Sequence, residues 1–370
     1  MKALVLGRGR SGTSAAEALR GLGYAVDFAE GYDVVVTSPG LPVRSELQLG
    51  CAELRRRGWR LLAVTGSKGK SSVVKLVADT IVRAGGRAIA CGNYGRPVCD
   101  LLGEPPGWAV VEVSSFQLET TSLPPDAFEA AAVLNLQADH LDRHGCIAVY
   151  HGLKRRLLAM TRRPVALTDD VRARAPLLAG SYFDNEVLRE NGLCAIGLLA
   201  AAGLDDAQIA AGFRAFEPLP HRFQTVAEWE GVRYVDDSKA TSVAALVAGV
   251  KMAAAGRAER GEGRPSVRLI AGGLAKGDDP KIALPVLTQW VRKVYLIGQC
   301  AGVFSAAWRE AADCEVCGTL ERAVASARRE ASVGETVLLS PGTASFDQFE
   351  GFEERGEAFA RLVKKEREET

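Results

Sequence analysis

Residues 61–77 read LLAVTGSKGKSSVVKLV, and the interpretation of the rest of the chain starts from this stretch. The apolar run Leu61–Val64 predicts a buried strand, because it is short and is followed by a polar glycine loop. From Ser71 onward, valines at helical spacing predict a helix. A strand, a glycine loop and a helix in this order are typical of an α/β domain that binds phosphate groups at the helix N-terminus.

Two side chains of this loop suit a nucleotide triphosphate. Lys70 can neutralise phosphate charge and the hydroxyl of Ser71 can bind Mg²⁺, while the loop N–H groups point at the anion. The spacing differs from the common GxxxxGK[ST] pattern, since Val64 stands five residues before Gly69. A glycine turn with a solvated lysine is the alternative, but the flanking strand and helix make a chance match rare. Nucleotide triphosphate binding is therefore the working hypothesis.

The composition is that of a globular protein with two or three domains. The 370 residues carry a formal net charge of +1, which argues against a general nucleic-acid surface. No apolar run approaches the length of a membrane span, and the N-terminal MKALVLGRGR leads into a strand rather than a signal peptide. The eight cysteines are scattered, and the CxxC at Cys314 and Cys317 lacks a second pair at zinc-ligand spacing. We therefore expect reduced thiols in a cytoplasmic protein.

Residues 1–60 have the pattern of a small Rossmann-like unit. The motif GxGxxG spans Gly7–Gly12, at the first strand-to-helix turn. Asp27 stands where an NAD-binding unit has an acidic residue, so a dehydrogenase half-domain stays open at this point. The segment is short for a dinucleotide, and a single nucleoside diphosphate fits its length better. The predicted elements are strands at Ala3–Leu6, Tyr24–Phe28 and Asp33–Thr37 and a helix at Thr13–Leu22.

A carboxylate and a group of histidines follow later strands. Glu112 is the one charged residue of the predicted strand Trp108–Val113. Near a phosphate loop it suits a Mg²⁺ ligand, and the alternative is an exposed acid at a strand edge. His140 is the first of three histidines within twelve residues, just after the predicted strand Ala130–Leu136. Metal ligation by several of these histidines stays open.

Lys154 lies on a helix predicted to begin near Tyr150. From spacing alone, a lysine on such a helix is expected at the surface, with its stem along apolar neighbours. After it, the pattern predicts a strand at Pro164–Thr168 and a helix at Ala195–Leu204.

A third α/β unit is predicted after the stretch LPHRF at residues 219–223, where Pro218 and Pro220 mark a joint. Beyond this joint, apolar runs alternate with helical patterns. The predicted strands are Val232–Val235, Val267–Ala271, Lys293–Ile297 and Thr336–Leu339.

Seven stretches, taken together, resemble the Mur ligase family. They are TGSKGKSS (65–72), GNYGRP (92–97), EVSSFQLETT (112–121), LNLQADHLDRH (134–144), LPHRF (219–223), DDSKATS (236–242) and LLSPGTASFDQFEGFEERG (338–356). Within the family, SSFQLETT and SPGTASFDQF are most similar to the members that add D-glutamate.

The resemblance implies three α/β domains. These are a shortened Rossmann-like UDP-binding domain at 1–60, a central ATP-binding domain at 61–217 and a C-terminal D-glutamate-binding domain at 218–370. It also implies an amide ligase that uses ATP and Mg²⁺ and joins D-glutamate to UDP-N-acetylmuramoyl-L-alanine through an acyl phosphate. A monomer with no nucleic-acid partner and no membrane span is expected.

The resemblance assigns catalytic roles to four residues. Lys70 and the loop amides would hold the β- and γ-phosphates, and His140 would lie near the substrate. Ser71, Glu112 and His140 match positions near Mg²⁺. Lys154 falls where the family carries a lysine carbamylated by CO₂, which would make it a further metal ligand. Carbamylation needs a neutral amine, so the resemblance replaces the surface prediction with a partly buried lysine of lowered pKa.

Further positions match binding residues of the family. For ATP they are Gly66, Ser67, Lys68, Gly69, Lys70, Ser71, Ser72, Asn191, Arg222 and Asp236. For the two other substrates they are Arg10, Ser11, Gly40, Asn93, Ser114, Gln117, His140, Lys239, Thr241, Lys276, Ser345 and Phe352. A pocket for a dianionic amino acid should offer a cation and hydroxyl groups, which Lys276, Thr241 and Ser345 supply.

The chain also departs from the family pattern. Its first unit is shorter, and Lys68 stands where the family usually has asparagine. The segment from Thr168 to Asn191 is compressed, and of the family's HNxxN only Asn191 remains.

Three other functions compete with a ligase of this kind. An NAD-dependent oxidoreductase would rest on GxGxxG and Asp27 and leaves residues 61–370 unexplained. A nucleotide-binding scaffold without activity would be expected to lack Lys70, Glu112 or His140, and all three are present. An enzyme of the folylpolyglutamate type shares the loop, but SSFQLETT and SPGTASFDQF do not match it.

Overall fold

The phosphate loop follows the central strand of a five-stranded parallel sheet. The computed structural model describes residues 1–30, 44–137, 140–258 and 266–365. It divides into two compact units, residues 1–184 with 188–216 and residues 185–187 with 217–370. Each unit contains a parallel or mostly parallel sheet with helices, which confirms the predicted α/β class.

The first unit contains most of the predicted phosphate chemistry. Its described elements are β1 Lys2–Leu6, α1 Arg10–Gly21, β2 Ala25–Ala29, α2 Glu46–Arg56, β3 Arg60–Thr65, α3 Lys70–Arg83, β4 Ala88–Gly92, β5 Trp108–Glu112, α4 Ser115–Thr120, β6 Phe128–Val133, α5 Leu141–His144, α6 Ile147–Arg155, β7 Thr161–Val165, α7 Asp169–Ala173, α8 Arg189–Ala201 and α9 Asp206–Arg214. Short 3₁₀ helices lie at Val98–Gly103, Arg156–Met160 and Ala175–Leu178.

The main sheet of this unit has the order β4-β5-β3-β6-β7, and every pair is parallel. Strand β3 is apolar from Leu61 to Val64 because both of its faces are covered there. Leu62 and Val64 belong to one hydrophobic cluster, with α3, α8 and α9. Leu61 and Ala63 point to the other face and belong to a second cluster, with α2 and the 3₁₀ helix at 98–103.

The N-terminal elements form their own small sheet within the first unit. Strands β1 and β2 pair in parallel, and α1 packs on α2 and on the 3₁₀ helix at 98–103. Helix α1 begins at Arg10, three residues before the predicted start, so it takes in the end of the glycine motif. The predicted strand Asp33–Thr37 lies outside the described residues.

Some predicted elements are displaced. The strand predicted at Pro164–Thr168 is β7, at Thr161–Val165; Pro164 lies inside it, which an edge strand tolerates. The helix predicted at Ala195–Leu204 is α8 and begins at Arg189, because its polar first turn hides the start of the apolar pattern.

The second unit has a six-stranded sheet. Its described elements are β8 Gln224–Trp229, β9 Val232–Asp236, α10 Val243–Ala258, β10 Val267–Gly272, α11 Leu284–Trp290, β11 Val291–Ile297, α12 Ala301–Trp308, β12 Asp313–Gly318, α13 Leu320–Glu330, β13 Thr336–Leu339 and α14 Phe352–Lys365, with a 3₁₀ helix at Pro280–Ala283. The strand order is β12-β11-β10-β13-β9-β8, and only β8, among these strands, runs antiparallel.

The predicted joint near Pro218 lies next to the change of unit at residues 216–217. Residues 1–30 pack with the first unit, and the division of the chain into three functional domains stays a prediction. Within the described ranges, no helix combines the length and the apolar character that crossing a membrane requires. All eight cysteines lie in those ranges and are free thiols.

Candidate active site

Two glycines give the phosphate loop its conformation. Gly66 has φ +151° and Gly69, the residue that caps α3, has φ +84°, values at which a side chain would strain the backbone. A Cβ on Gly69 would also collide with the side-chain amide of Asn191. The glycine therefore lets a buried asparagine approach the loop backbone closely. Of the predicted ATP residues, Asn191 and the loop 66–72 are thus brought together.

Asn135 lies two residues after the end of the neighbouring strand β6 and holds the loop, although the sequence patterns did not indicate it as a site residue. Its Oδ1 accepts from Lys68 N at 2.9 Å and its Nδ2 donates to Lys68 O at 2.9 Å. The same amide donates to Asn191 Oδ1 at 3.1 Å, and the Asn135 carbonyl accepts from Ser67 N at 2.8 Å. The signal was its position directly after an apolar strand, in the stretch NLQADH, where ligands of α/β sheets gather.

Two lysine amines converge on one carbonyl oxygen of the loop. Lys70 Nζ donates to Gly66 O at 2.9 Å and to Ser67 O at 3.1 Å. Lys154 Nζ donates to Gly66 O at 2.8 Å and lies 4.6 Å from the centre of the Tyr150 ring. Lys154 is 1% exposed, so the surface position predicted from spacing alone is wrong, and the burial expected from the family resemblance is confirmed.

Glu112 is the last residue of β5 and is 2% exposed. Its Oε1 accepts from Asn93 Nδ2 at 2.6 Å, whereas its Oε2 is buried with no hydrogen-bond partner among the described residues. The alternative of an exposed edge acid is therefore wrong. A buried carboxylate oxygen without a donor is costly, so this atom indicates a place for a cation.

The residues present fit a magnesium ion better than a metal held by protein alone. Ser71 is buried in the first turn of α3, and Glu112 offers the unpartnered Oε2. In the described part of the chain, no three or more His, Cys, Asp or Glu side chains are grouped so that they could hold a metal. Mg²⁺ commonly takes one or two protein ligands and completes its shell with water and substrate phosphates.

Helix α4 follows β5 and orders the predicted substrate residues Ser114 and Gln117. These two form a capping box: Ser114 Oγ accepts from Gln117 N at 3.2 Å, and Gln117 Oε1 accepts from Ser114 N at 2.9 Å. Both residues therefore have a structural role at the helix start. Gln117 Oε1 also accepts from the Ser114 hydroxyl at 3.0 Å.

The histidines next to α4 are ordered by hydrogen bonds and ring contacts. The buried His144 has its Nε2 3.0 Å from Ser115 Oγ and its Nδ1 3.1 Å from Glu119 Oε1. Both ring nitrogens are thus engaged, which argues against metal ligation by this histidine. The exposed His140 has φ +53° and packs its ring 5.1 Å from the centre of the Phe116 ring.

A cleft lies beside α1 in the first unit. Arg10 borders it and donates through its guanidinium to Gly95 O at 2.9 Å, while the nearby Ser14 hydroxyl is buried with no hydrogen-bond partner among the described residues. Ser11 is exposed at the start of the same helix, and Gly40 lies outside the described residues. The cleft has a volume of about 410 Å³ and is lined by Arg8, Arg10, Thr13, Ser14, Glu17, Pro97 and Asp100.

In the second unit, the end of β9 carries two adjacent carboxylates. Asp236 is buried; its Oδ2 lies 2.7 Å from His221 Nδ1 and its Oδ1 accepts from Ser238 N at 2.9 Å. The hydrogen bond with Asp236 raises the pKa of His221. Asp237 accepts from Ser340 Oγ at 2.9 Å, and burial raises the pKa of its carboxyl to about 7.

The residues predicted for D-glutamate lie on loops that follow β9, β10 and β13 and at the start of α14. Lys239 Nζ lies 3.7 Å from the centre of the Phe352 ring. Ser345 is buried, Thr241 is half-buried and Lys276 is exposed. Of the predicted ATP residues, Arg222 and Asp236 belong to this unit, whereas the phosphate loop and Asn191 belong to the first.

Comparison with known proteins identifies related sequences. Residues 64–177 match the Mur ligase middle domain. A UDP-N-acetylmuramoylalanine–D-glutamate ligase from Gloeobacter violaceus is 37% identical over 371 residues, which cover 89% of this chain and 80% of the relative. The enzyme of the same name from Dinoroseobacter shibae is 34% identical over 465 aligned positions, covering 98% of this chain and 97% of the relative. That alignment is much longer than the 370-residue chain, so the relative has segments without a counterpart here.

Solved structures share the fold at lower identity. A MurF ligase from Thermotoga maritima in complex with ADP has a TM-score of 0.62 and 14% identity, covering 99% of this chain and 95% of that one. A bifunctional folylpolyglutamate synthase/dihydrofolate synthase from Yersinia pestis has a TM-score of 0.57 and 15% identity, covering 89% and 96%. Since the fold is common to both enzymes, it does not distinguish between them, and the sequence relatives do.

Proposed function

The chain belongs to the family of UDP-N-acetylmuramoylalanine–D-glutamate ligases, and we propose that it joins D-glutamate to UDP-N-acetylmuramoyl-L-alanine in peptidoglycan precursor synthesis, with conversion of ATP to ADP and phosphate. The observation that carries the proposal is the phosphate loop, where Lys70 and Lys154 both donate to Gly66 O, beside the unpartnered carboxylate oxygen of Glu112.

The reaction has two steps. In the first, an alanyl carboxylate oxygen attacks the γ-phosphorus of ATP, the bond to the β-phosphate oxygen breaks, and an acyl phosphate and ADP result. In the second, the amine nitrogen of D-glutamate attacks the acyl carbon, the amide bond forms, and phosphate leaves as the amine loses its protons. The first step brings two anions together, so it needs fixed cations and aligned donors rather than a covalent nucleophile.

The phosphate loop would supply those groups. Lys70 lies next to the N-terminus of α3, where loop and helix N–H groups face an anion. Asn135 fixes the loop backbone through both atoms of its amide, so the donors are in place before the nucleotide binds. Such preorganisation is the larger part of catalysis when charge moves between anions.

Mg²⁺ would be held at this loop by Ser71 and by Glu112 Oε2. When bound, the ion neutralises phosphate charge. His140 and a carbamylated Lys154 would contribute to a second position.

The environment of Lys154 favours carbamylation. Its amine and that of Lys70 donate to the same oxygen, Gly66 O, so two ammonium groups there would repel each other. Carbamylation converts the Lys154 amine into an anionic group with two oxygens, which removes the repulsion and suits a metal ion.

The other proposed contacts divide among the substrates. Arg10 and Ser11 at the α1 cleft, with Gly40, would bind the UDP group, and Asn93, Ser114, Gln117 and His140 the muramoyl-alanine part. ATP would contact the loop 66–72, Asn191, Arg222 and Asp236. D-Glutamate would contact Lys239, Thr241, Lys276, Ser345 and Phe352. We also propose that the enzyme is a monomer and acts in the cytoplasm, where ATP and reduced thiols are expected.

The test is phosphate release from ATP with Mg²⁺ and UDP-N-acetylmuramoyl-L-alanine. We expect release that depends on D-glutamate and not on L-glutamate, and its loss in Lys70→Ala. Lys75→Ala is the matched control, because Lys75 lies on the same helix and pairs with Asp79 away from the loop. ATP binding without glutamate-dependent release would contradict the proposed substrates.

A further inference from the structure

Three loops of the second unit are joined to one another by backbone hydrogen bonds. We call them the acceptor loops: residues 237–242 after β9, 273–276 after β10 and 340–345 after β13. Leu274 and Ala344 exchange two N–H···O bonds, of 3.0 and 3.1 Å. Gly342 N donates to Ala240 O at 2.8 Å. The loops therefore form one connected structure.

The guanidinium group of Arg355, on α14, contacts two of the acceptor loops. Its Nε donates to Ser238 Oγ at 2.9 Å and its Nη2 to Ser238 O at 2.9 Å. The same guanidinium donates to Thr343 O at 3.2 Å and to Ala344 O at 3.3 Å. Four hydrogen bonds from one planar group thus tie the loop after β9 to the loop after β13, and Ala344 continues the connection to the loop after β10.

The start of α14 is fixed to the same point. Ser238 Oγ, which accepts from Arg355, donates to Phe352 O at 2.8 Å. A Cβ on Gly273 would come within 3.3 Å of Arg355 Nη1 and still closer to the Ala344 carbonyl oxygen. The guanidinium therefore lies where all three loops approach one another.

Fold stability alone does not account for this arginine. Arg355 is 0% exposed, and among the described residues no carboxylate lies within ion-pair distance of it. Burial lowers the pKa of Arg355 to about 10, and a cation in the first turn of a helix opposes the helix dipole. Asp347 and Asp236 favour its charge from beyond ion-pair distance, but its hydrogen bonds go to carbonyls and a hydroxyl, and a cation buried in this way is costly to keep.

We propose that Arg355 is a positioning residue that holds the three acceptor loops in the arrangement that binds the amino-acid substrate. The inference rests on the proposed function, which assigns Lys239, Thr241, Lys276 and Ser345 to D-glutamate. All four side chains lie on the acceptor loops, and Ser345 directly follows Ala344, whose carbonyl accepts from Arg355. Arg355 itself would not touch the substrate.

If Arg355 holds the acceptor loops, replacing it should weaken the binding of D-glutamate and not that of ATP. Loosening the loops displaces the groups that receive D-glutamate but leaves the phosphate loop of the first unit as it is. In Arg355→Lys, which keeps the cation and loses the planar fork, we expect KM for D-glutamate to rise about tenfold or more, with KM for ATP changed by less than about twofold.

Arg268→Lys is the matched control. Arg268 is also buried in the second unit, on β10, but its partners are Glu335, Glu330 and Tyr295 at the other end of the strand. The control variant therefore measures the general effect on activity of replacing a buried arginine in this unit. We expect its KM for D-glutamate to stay within about twofold of the unmodified enzyme.

Amide hydrogen exchange of the substrate-free enzyme tests the same proposal without activity. Peptides that cover the acceptor loops should exchange faster in Arg355→Lys than in the unmodified enzyme. In Arg268→Lys, the exchange rate of these peptides should equal that of the unmodified enzyme. Should Arg355→Lys fail to fold, Ser238→Ala removes the acceptor of Nε and the hydroxyl bond to Phe352 O but keeps the bonds of Nη1 and Nη2 to backbone carbonyls, and it should show the same two effects in weaker form.

Unchanged loop exchange with an unchanged KM for D-glutamate would overturn the positioning role, as would equal effects in Arg355→Lys and Arg268→Lys. A failure of the proposed function has a different signature: the unmodified enzyme would release no phosphate in response to D-glutamate. In that case the exchange measurement still decides whether Arg355 orders the loops.

Discussion

Glu112 illustrates how a single side chain acquires its chemistry from its place in the sheet. It ends β5, next to the central strand β3 that leads into the phosphate loop. One carboxylate oxygen is satisfied by Asn93, and the other is buried and unpartnered. The sequence indicated this residue because a lone acid at the end of an apolar strand beside a phosphate loop is unusual. Its division into one satisfied and one unsatisfied oxygen became visible only in the structure.

The first prediction concerns this carboxylate. Glu112→Gln keeps the oxygen that accepts from Asn93, so we expect the protein to fold, but it removes the negative charge. We expect kcat to fall about 100-fold or more, since a fixed group that holds phosphate charge through Mg²⁺ would be lost. Steady-state phosphate release measures the change. The half-buried Glu104, which pairs with Arg87 and Arg96, supplies the control Glu104→Gln, and equal kcat values in the two variants would refute a metal role for Glu112.

The second prediction concerns Asp237. Burial raises the pKa of its carboxyl from 3.8 to about 7 in the folded protein. Between about pH 4 and 7 the folded state therefore binds more protons than the unfolded state at this group, so its contribution lowers stability as pH rises. The groups around it are Ser340, Phe223 N, Asp236 and Arg222.

Asp237→Asn imitates the protonated carboxyl at every pH. We expect the variant to have a higher free energy of unfolding than the unmodified protein at pH 8 and a flatter pH dependence between pH 4 and 7. Urea unfolding at several pH values measures both. The titration of His221 is present in both proteins and cancels in the comparison. Parallel pH curves for the two proteins would show that Asp237 ionises normally.

At the scale of elements, the strand–loop–helix unit was predictable from the sequence, but the contact of Asn135 that supports the loop was not. The predicted strand Leu61–Val64 is β3 at Arg60–Thr65, and the helix predicted from Ser71 is α3 from Lys70. Local pattern sufficed for these elements, because periodicity and glycines are read along the chain. Asn135 contacts Lys68 only because β6 pairs with β3, and nothing near either residue encodes that pairing.

The third prediction tests this support. Asn135→Ala removes the acceptor for Lys68 N and the donor to Lys68 O, so the loop should become less ordered. We expect KM for ATP to rise about tenfold and the thermal stabilisation by ADP to decrease, because part of the binding energy must then order the loop.

Gln208→Ala is a suitable comparison, because it removes a capping-box side chain from α9 of the same unit without contact to the loop. ADP stabilisation should remain normal in that variant. If Asn135→Ala and Gln208→Ala respond alike to ADP, then loop support by Asn135 is not what matters.

Helix α6 shows the opposite limit of sequence reasoning. Its spacing placed Lys154 at the surface, but the lysine is buried against the loop, with its amine on Gly66 O. Spacing along a helix identifies an apolar stripe and does not say what covers the remaining face. The match to a family position corrected this prediction, because it carried information about a contact 88 residues away in sequence.

At the scale of the molecule, the residues proposed for the ligase chemistry are distributed over two compact units. The first contains the phosphate loop, Glu112 and Lys154, and the second contains the acceptor loops tied by Arg355. The seven stretches that identified the family fall at strand ends of both units, where parallel sheets place their ligands. The strands β8 and β12 escaped prediction, because their residues are largely polar or half-exposed and lack a continuous apolar run.

The central claim is that the alanyl carboxylate is activated as an acyl phosphate before D-glutamate attacks. The most direct measurement uses UDP-N-acetylmuramoyl-L-alanine labelled with ¹⁸O in that carboxylate, and follows the label by mass spectrometry. We predict that each turnover transfers one labelled oxygen to the released phosphate, with the other retained in the new amide. Amide product accompanied by unlabelled phosphate would contradict the account.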